Sequence, residues 1–320
     1  LMEIIAVGHR VVHGGDTFFE STIIDERVLE AIKDWAELAP LHNPPNIAGI
    51  EGAQSLLPGI PQVAVFDTAF HQTMPERAYI YPIPYEFYKE HRIRRYGFHG
   101  TSHGYVAREA AKKIGRPLEA LKVVTCHLGN GCSVTAVRDG KSVDTSMGFT
   151  PLEGLVMGTR SGDIDPSIIF YMMDKERLAA KEIENLLNRG SGLLGISGVS
   201  NDVRDIQRKA DGGNVRARLA LEIFAYRAKK YVGAYAAAMG GLDAIVFTGG
   251  IGENDPTIRS MICADLEFLG VRLDGELNAI ASSDAKVISS SDSPVKVLVI
   301  PTNEELVIAM ETLGLLDEGA

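Results

Sequence analysis

The sequence predicts an α/β protein, and three observations carry that expectation. Strand-like apolar runs recur along the 320 residues, each ending in a polar or glycine-rich loop. Helical patterns lie between these runs. The loops holding the unusual residues follow strands, which is where α/β proteins bind their ligands. In chain order, EIIAVGHR is the first strand and delivers Arg10. DERVLEAIKDWAELA then has helical spacing. PQVAVFDTAFH is a strand that sets Asp67 where the apolar stretch QVAVF ends. RRYGFHGTSH leads into the helix SHGYVAREAAKKI, capped by Thr101 or Ser102 and closed by Gly115 shortly before Pro117. KVVTCHLGNG is a strand with a glycine loop, and CSVTAVRDGKSVDTS reads as a hairpin turning at Asp139 and Gly140. MGTRSGDIDP is a glycine-bounded loop bearing Arg160. An alanine-rich helix runs from Asn214 to Met239, closed by Gly240 and Gly241, and suits deep packing or a subunit interface. DAIVFTGGIGEN is a strand and glycine loop before a helix starting at Pro256. The strand VKVLVIP and the helix EELVIAMETLG come last and return to the first domain.

Composition narrows the function. A formal net charge of -10 argues against nucleic acid or an anionic membrane as partner, since both need a basic surface. An anionic substrate therefore needs a local basic cluster. Three cysteines, Cys126, Cys132 and Cys263, lack metal-site spacing and form no disulfide framework, so a reducing, cytoplasmic setting is expected. No apolar run is long enough to span a membrane.

The stretch RRYGFHGTSH poses the functional question. His99 and His103 are four apart, but Gly100 breaks the helix a zinc pair would need. Gly100, Ser102 and Gly104 spell G-x-S-x-G, yet the preceding HRIRRYG is polar where a nucleophile elbow needs an apolar strand. An esterase using Ser102 remains the remote alternative. His103 reads as a structural histidine, whereas His99 sits in a glycine-flanked loop with a ring nitrogen available to donate to an anion. Arg10 and Arg160 suit a clamp on a carboxylate and a phosphate, with a surface salt bridge as the alternative for either alone. Asp67 and Glu304 stand where carboxylates can hold hydrated magnesium, or else cap helices. In HLGNG, Gly129 and Gly131 let backbone approach a phosphate while His127 and Asn130 offer donors. With Gly249, Gly250 and Gly252 of FTGGIGEN, these loops suggest an ATP site built from two loops.

At this point GHRVVHGG, VFDTAFH, YGFHGTSH, CHLGNG, GTRSGDIDP, GVSNDVRD, FTGGIGEN and PTNEE, in this order, resemble the acetate kinase family of the acetate and sugar kinase, Hsp70 and actin superfamily. The resemblance implies a duplicated actin- or hexokinase-like, ribonuclease H-like fold with an interdomain cleft. Residues 1–68 with 304–320 would belong to the first domain, and 69–303 would form the second, nucleotide-binding and dimerising one. It also implies a homodimer and transfer of a phosphoryl group between ATP and acetate, dependent on Mg2+ or Mn2+. Carried over by position, Arg10 and Arg160 bind acetate and the phosphoryl group in flight, and His99 donates to an equatorial oxygen. Asp67 and Glu304 organise the metal, Glu305 being the neighbouring alternative to Glu304. His127, Leu128, Gly129, Asn130 and Gly131 lie near the phosphates. Asp202, Val203 and Arg204, with Gly249, Gly250, Ile251, Gly252 and Asn254, hold the rest of the nucleotide. Val12, Leu41, Phe98 and Pro151 form the methyl pocket, and Val12 tilts the preference towards acetate over propionate or butyrate. The family's opening N-x-G-S-S-S-x-K loop has no counterpart here, so the first domain is expected to be incomplete at its N-terminus and the 320-residue chain alone poorly active. A nucleotide-binding module without turnover is the non-enzymatic rival.

Overall fold

The computed structural model describes residues 4–37 and 43–318, and within them nine strands form two sheets. The smaller holds β1 (Val7–Val11), β2 (Thr22–Ile23) and β3 (Gln62–Phe66) in the order β1-β3-β2. The larger holds β4 (Lys122–Leu128), β5 (Cys132–Arg138), β6 (Lys141–Thr145), β7 (Ala244–Thr248), β8 (Lys286–Val287) and β9 (Lys296–Val299). Its order is β6-β5-β4-β7-β9-β8. In the small sheet β1 runs parallel to β3 and β2 antiparallel to it; in the large one β7 runs parallel to β9 and β8 antiparallel to it. One arrangement thus occurs twice, as expected of a duplicated α/β core.

The strands follow from composition. QVAVF of β3 and AIVFT of β7 are buried at every position, the pattern of parallel strands covered on both faces. Each fully buried Val, Ile or Phe side chain contributes roughly 1.5–3 kcal/mol through loss of its water contact. β5 and β6 are joined by Asp139 and Gly140 at φ 54° and 76°, the two positive φ values that a tight primed turn requires. The sequence reading of this hairpin holds.

The helix Val215–Met239 is capped by the Asn214 side chain, which accepts from the Ala217 amide at 2.9 Å, and ends at Gly240 with φ 67°. Its buried Ala217, Ala220, Ala225 and Ala228 let its axis lie close against β4 and β5. The last helix, Glu304–Glu318, returns to β1 and β3 as expected, whereas the strand before it, β9, does not: it pairs with β7 in the large sheet. A Cβ on Gly8 would stand 2.4 Å from Thr312 Oγ1 and 2.5 Å from Ile308 Cγ2, so glycine in β1 is what lets this helix seat. The helix Gly100–Ile114 touches β4, β7 and the last helix, joining the two sheets. No helix among the described residues is long and apolar enough to cross a membrane.

Candidate active site

β1 and β3 are parallel with Arg10 opposite Val65 and Val11 opposite Phe66, so the side chains at their carboxyl ends emerge side by side. Arg10 donates from Nε to Asp67 Oδ1 at 3.0 Å and from Nη2 to Oδ2 at 2.6 Å, a bidentate pair in which the Asp67 side chain is 1% exposed. Asp67 raises the Arg10 pKa further. Asp67 is therefore a partner of Arg10 rather than a helix cap. Glu304 Oε2 lies 4.0 Å from Arg10 Nε, whereas the next acid, Glu305, is exposed to solvent. Burial pushes the Glu304 carboxyl up, Arg10 pulls it down, and Asp67 adds to the rise.

His99 has φ 56° and precedes a helix that starts at Gly100, two residues before the expected SHGYVAREAAKKI. Neither Thr101 nor Ser102 caps it. The physical reason is backbone contact: the Gly100 amide donates to the Asp67 carbonyl at 2.9 Å, and a Cβ there would stand 2.2 Å from that oxygen. Glycine draws the first turn onto the end of β3 and places His99 beside Asp67. His99 Nδ1 lies 2.9 Å from Ser133 Oγ. Its ring stacks on His127 at 4.2 Å between centroids and 22° between planes. Its Nε2 has no protein partner among the described residues and lies 3.6 Å from where a Gly131 Cβ would be. Burial first, then His127, His103, Arg10 and Arg160, hold the His99 pKa well below the ordinary value; burial brings His127 down to about 4. Both rings are neutral at neutral pH. His103 is structural as expected, with Nδ1 2.7 Å from Thr125 Oγ1 and Nε2 2.7 Å from Ser133 Oγ, which leaves it no lone pair for a metal.

Arg160 sits in a loop fixed from several sides. Gly162, at φ 67°, would place a Cβ 2.3 Å from the Leu155 carbonyl, and Tyr231 of the long helix donates to Asp163 Oδ2 at 2.7 Å. The guanidinium makes no salt bridge among the described residues. Nη1 lies 3.4 Å from the Pro151 carbonyl and 3.5 Å from the Gly131 Cβ position, on the same glycine that His99 faces. Burial lowers its pKa, the mark of a cation held without a counter-charge. Val12 and Phe98 are buried at 7% and 1% exposure in one core cluster, and the Pro151 carbonyl faces Arg160; Leu41 lies outside the described residues.

A cleft of about 570 Å³ opens beside this cluster, lined by eight of the residues expected to hold the nucleotide: Gly129, Asn130, Asp202, Val203, Arg204, Gly250, Ile251 and Asn254. Its volume suits a small ligand. His127 and Gly131 stand at the histidine and arginine end. Leu128 departs from expectation, because its side chain is fully buried in the core. Gly249 and Gly252 are buried beneath the cleft; Gly249, at φ 76°, would put a Cβ 2.8 Å from the Leu128 carbonyl. The run GGIGEN is not a loop but a short helix, Gly249–Asn254, closed by Glu253 Oε1 accepting from the Gly249 amide at 2.8 Å. The helix expected at Pro256 follows it, capped by Asp255. Asn201, Gln207, Asp255, Pro256 and Thr257 also line the cleft and were not singled out in the sequence. Gln207 lies four residues after Val203 on one helix face, a spacing that signals it once Val203 is recognised.

Chemically, the site is a set of cations, neutral donors and two carboxylates around a glycine loop. Such a set favours anionic charge, and the serine of the G-x-S-x-G sequence is not exposed to attack a substrate. Ser102 does lie 2.8 Å from His127 Nδ1, but it is fully buried and its oxygen also accepts from Thr302 at 2.8 Å.

Comparison with known proteins agrees with this chemistry. A family model described as the acetokinase family matches residues 1–310. The chain is 64% identical over 313 residues to the acetate kinase of Caldanaerobacter subterraneus subsp. tengcongensis, covering 98% of this chain and 78% of that one. The crystal structure of Porphyromonas gingivalis acetate kinase superposes with a TM-score of 0.95 at 50% identity, over 98% of this chain and 79% of that one. A propionate kinase from Francisella tularensis superposes at 0.93 and 53% identity, over 98% and 80%.

Proposed function

The chain belongs to the acetokinase family, and from that premise we propose that it is an acetate kinase, transferring the γ-phosphoryl group of ATP to acetate, reversibly and with magnesium, to give acetyl phosphate and ADP. A carboxylate oxygen of acetate attacks the γ-phosphorus in line, the bond to the β,γ-bridging oxygen breaks, and its electrons leave with ADP. No general base is needed, because acetate is already ionised at neutral pH. Catalysis is therefore positioning plus stabilisation of charge on the three equatorial oxygens.

Arg10 and Arg160 hold the carboxylate and the phosphoryl group in flight, His99 donates from Nε2 to an equatorial oxygen, and His127, Asn130 and the glycines of HLGNG receive the phosphates. The observation that most supports this reading is Arg160, a half-buried guanidinium with no salt bridge among the described residues, facing the same glycine as His99. Asp67 and Glu304 are hard oxygen donors on adjoining elements and suit a hydrated magnesium ion, with manganese as its substitute. Held there, that ion would supply positive charge that offsets the negative charge of the phosphates. The cleft at Asp202, Val203, Arg204 and Asn254 takes the adenosine, and Val12, Leu41, Phe98 and Pro151 the methyl group. Residues 1–68 with 304–320 serve as the acetate side and 69–303 as the nucleotide side. The protein works in the cytoplasm as a homodimer joined through the latter.

Hydroxylamine trapping tests the activity: protein, ATP, magnesium and acetate should give acetate-dependent hydroxamate. ATP binding without hydroxamate would leave a nucleotide-binding module. Propionate kinase is the second reading, favoured by the 53% identity to the Francisella tularensis propionate kinase. One methylene is worth about 1–3 kcal/mol, so the kcat/KM ratio for acetate over propionate separates the two. Acetate is expected to win.

A further inference from the structure

Two chains of hydroxyl groups end on the stacked pair His99 and His127, and neither chain has a part in the chemistry above. In the first, Thr125 Oγ1 lies 2.7 Å from His103 Nδ1, His103 Nε2 lies 2.7 Å from Ser133 Oγ, and that oxygen lies 2.9 Å from His99 Nδ1. In the second, Thr302 donates to Ser102 Oγ at 2.8 Å, and Ser102 Oγ lies 2.8 Å from His127 Nδ1. Thr125, His103, Ser133 and Ser102 are fully buried, so these contacts do not exchange with bulk water.

Proton counting fixes the direction of each chain. A hydroxyl has one proton to give, and a neutral imidazole has one donor and one acceptor nitrogen. Ser102 Oγ is fully buried and meets just Thr302 and His127 among the described residues; it accepts from Thr302, so its one proton is satisfied by His127 Nδ1, and the proton of His127 resides on Nε2. The first chain must likewise run head to tail, either towards His99 or away from it. Running away would send the Thr125 proton to the Thr135 carbonyl, 3.5 Å off and at the limit of a hydrogen bond. Running towards His99 uses contacts of 2.7 to 2.9 Å throughout. That direction leaves His99 Nδ1 as acceptor and Nε2 as donor.

We propose that Ser133, aligned by His103 and Thr125, and Ser102, aligned by Thr302, are positioning residues that hold His99 and His127 as Nε2–H tautomers, so that two stacked imidazoles each present an N–H to the phosphoryl oxygens. The proposal rests on the donor role given to His99 above. Two neutral rings can stack at 4.2 Å, whereas a cation on His99 would face the other ring together with Arg10 and Arg160, and one on His127 would face Arg10. The low pKa of both rings agrees with that arrangement. The hydroxyl of the G-x-S-x-G sequence thus orients a histidine instead of attacking a substrate.

Histidine-selective 15N labelling of the protein tests this directly, since the chain has only eight histidines. Resonances are assigned with His99→Gln, His103→Gln and His127→Gln. Near neutral pH both rings should carry their proton on Nε2. Ser133→Ala should change the tautomer of His99 alone, and Ser102→Ala or Thr302→Val that of His127 alone. Thr125→Val should reach His99 through His103, and Thr125→Ser should restore the wild-type pattern. Each disruptive variant should lower kcat on the order of tenfold to a hundredfold with little change in KM, the scale seen when an outer partner orienting a histidine is lost. A wild-type protein with Nδ1–H on either ring would overturn the relays, whatever the variants do, and so would tautomers that ignore Thr125→Val and Thr302→Val, the two shape-conserving changes. Undiminished kcat in His99→Gln would instead overturn the donor role and leave the tautomer assignment standing.

Discussion

At the scale of single residues, the site is organised by charges that lack their usual partners. Arg10 has Asp67, but Arg160 is half-buried with only a carbonyl and the Met157 sulfur beside its Nη1. Burying a cation without a counter-ion costs stability, and an anion is what relieves it. Arg160→Ala should therefore lower kcat/KM by on the order of 10²–10³ while leaving the thermal midpoint unchanged or higher. Steady-state kinetics with calorimetry reads both; an equal loss of stability would show Arg160 to be structural. Arg160→Lys should not restore the rate, because an ammonium lacks the planar fork. Arg10, Asp67, His99 and Arg160 were legible because each is an unusual residue where a strand run ends or a glycine loop begins. Glu304 and Glu305 were not separable, being adjacent acids. Only the seating of the last helix turns one towards Arg10 and the other to water. Ser133 and Thr125 gave no signal at all, since either is ordinary within a strand and only pairing of β4 with β5 brings them to His103.

At the scale of elements, local chemistry decided where the sequence was readable. Asp139 and Gly140 carry their own turn, because no other pair in the run tolerates two positive φ values so well. Gly140→Val should destabilise the protein by about 1–2 kcal/mol through backbone strain. Space is not the cause, as the nearest neighbour of a new Cβ is the Glu119 carboxylate oxygen at 3.4 Å, the end of a flexible side chain. The turn lies at the far end of β5 from the HLGNG loop, about 20 Å away at strand rise, so kcat should not change. Denaturant midpoints and turnover measured on one preparation check both halves. The misread elements are those whose cause is not local. GGIGEN has poor helix propensity and coils because Glu253 accepts from the Gly249 and Thr302 amides, the latter contributed from beyond β9. The helix at Gly100 starts early because its first amide is satisfied by the Asp67 carbonyl, 33 positions back along the chain and therefore invisible to any capping rule.

At the scale of the whole molecule, two properties follow from what is buried and what is not. Burial, with their surroundings, holds His13, His71 and His127 down to about 4, and His99 and His103 well below the ordinary value. Between about pH 6.5 and 4 the unfolded chain takes up protons at these rings and the folded chain does not, so stability is fully present above that window and falls as pH drops through it. Guanidinium midpoints at about pH 7.5 and 5 should differ clearly, and His71→Asn should flatten the slope. The second property concerns the helix Ser167–Lys175, which buries none of its residues and exposes Ile168, Phe170, Tyr171 and Met173 at 44%, 69%, 63% and 41%. Four large apolar side chains on one short helix cost solubility unless another surface covers them, and the homodimer proposed above would supply that surface. Sedimentation equilibrium should find a dimer, and Phe170→Glu with Tyr171→Glu should make it a monomer. The helix begins seven residues after Arg160, and Asp163 between them is held by Tyr231 of the long helix. Losing the partner should therefore loosen the loop that carries Arg160, and the monomer should show reduced kcat. A monomer with full kcat would separate assembly from catalysis, and a dimer untouched by both charges would place the interface on another face.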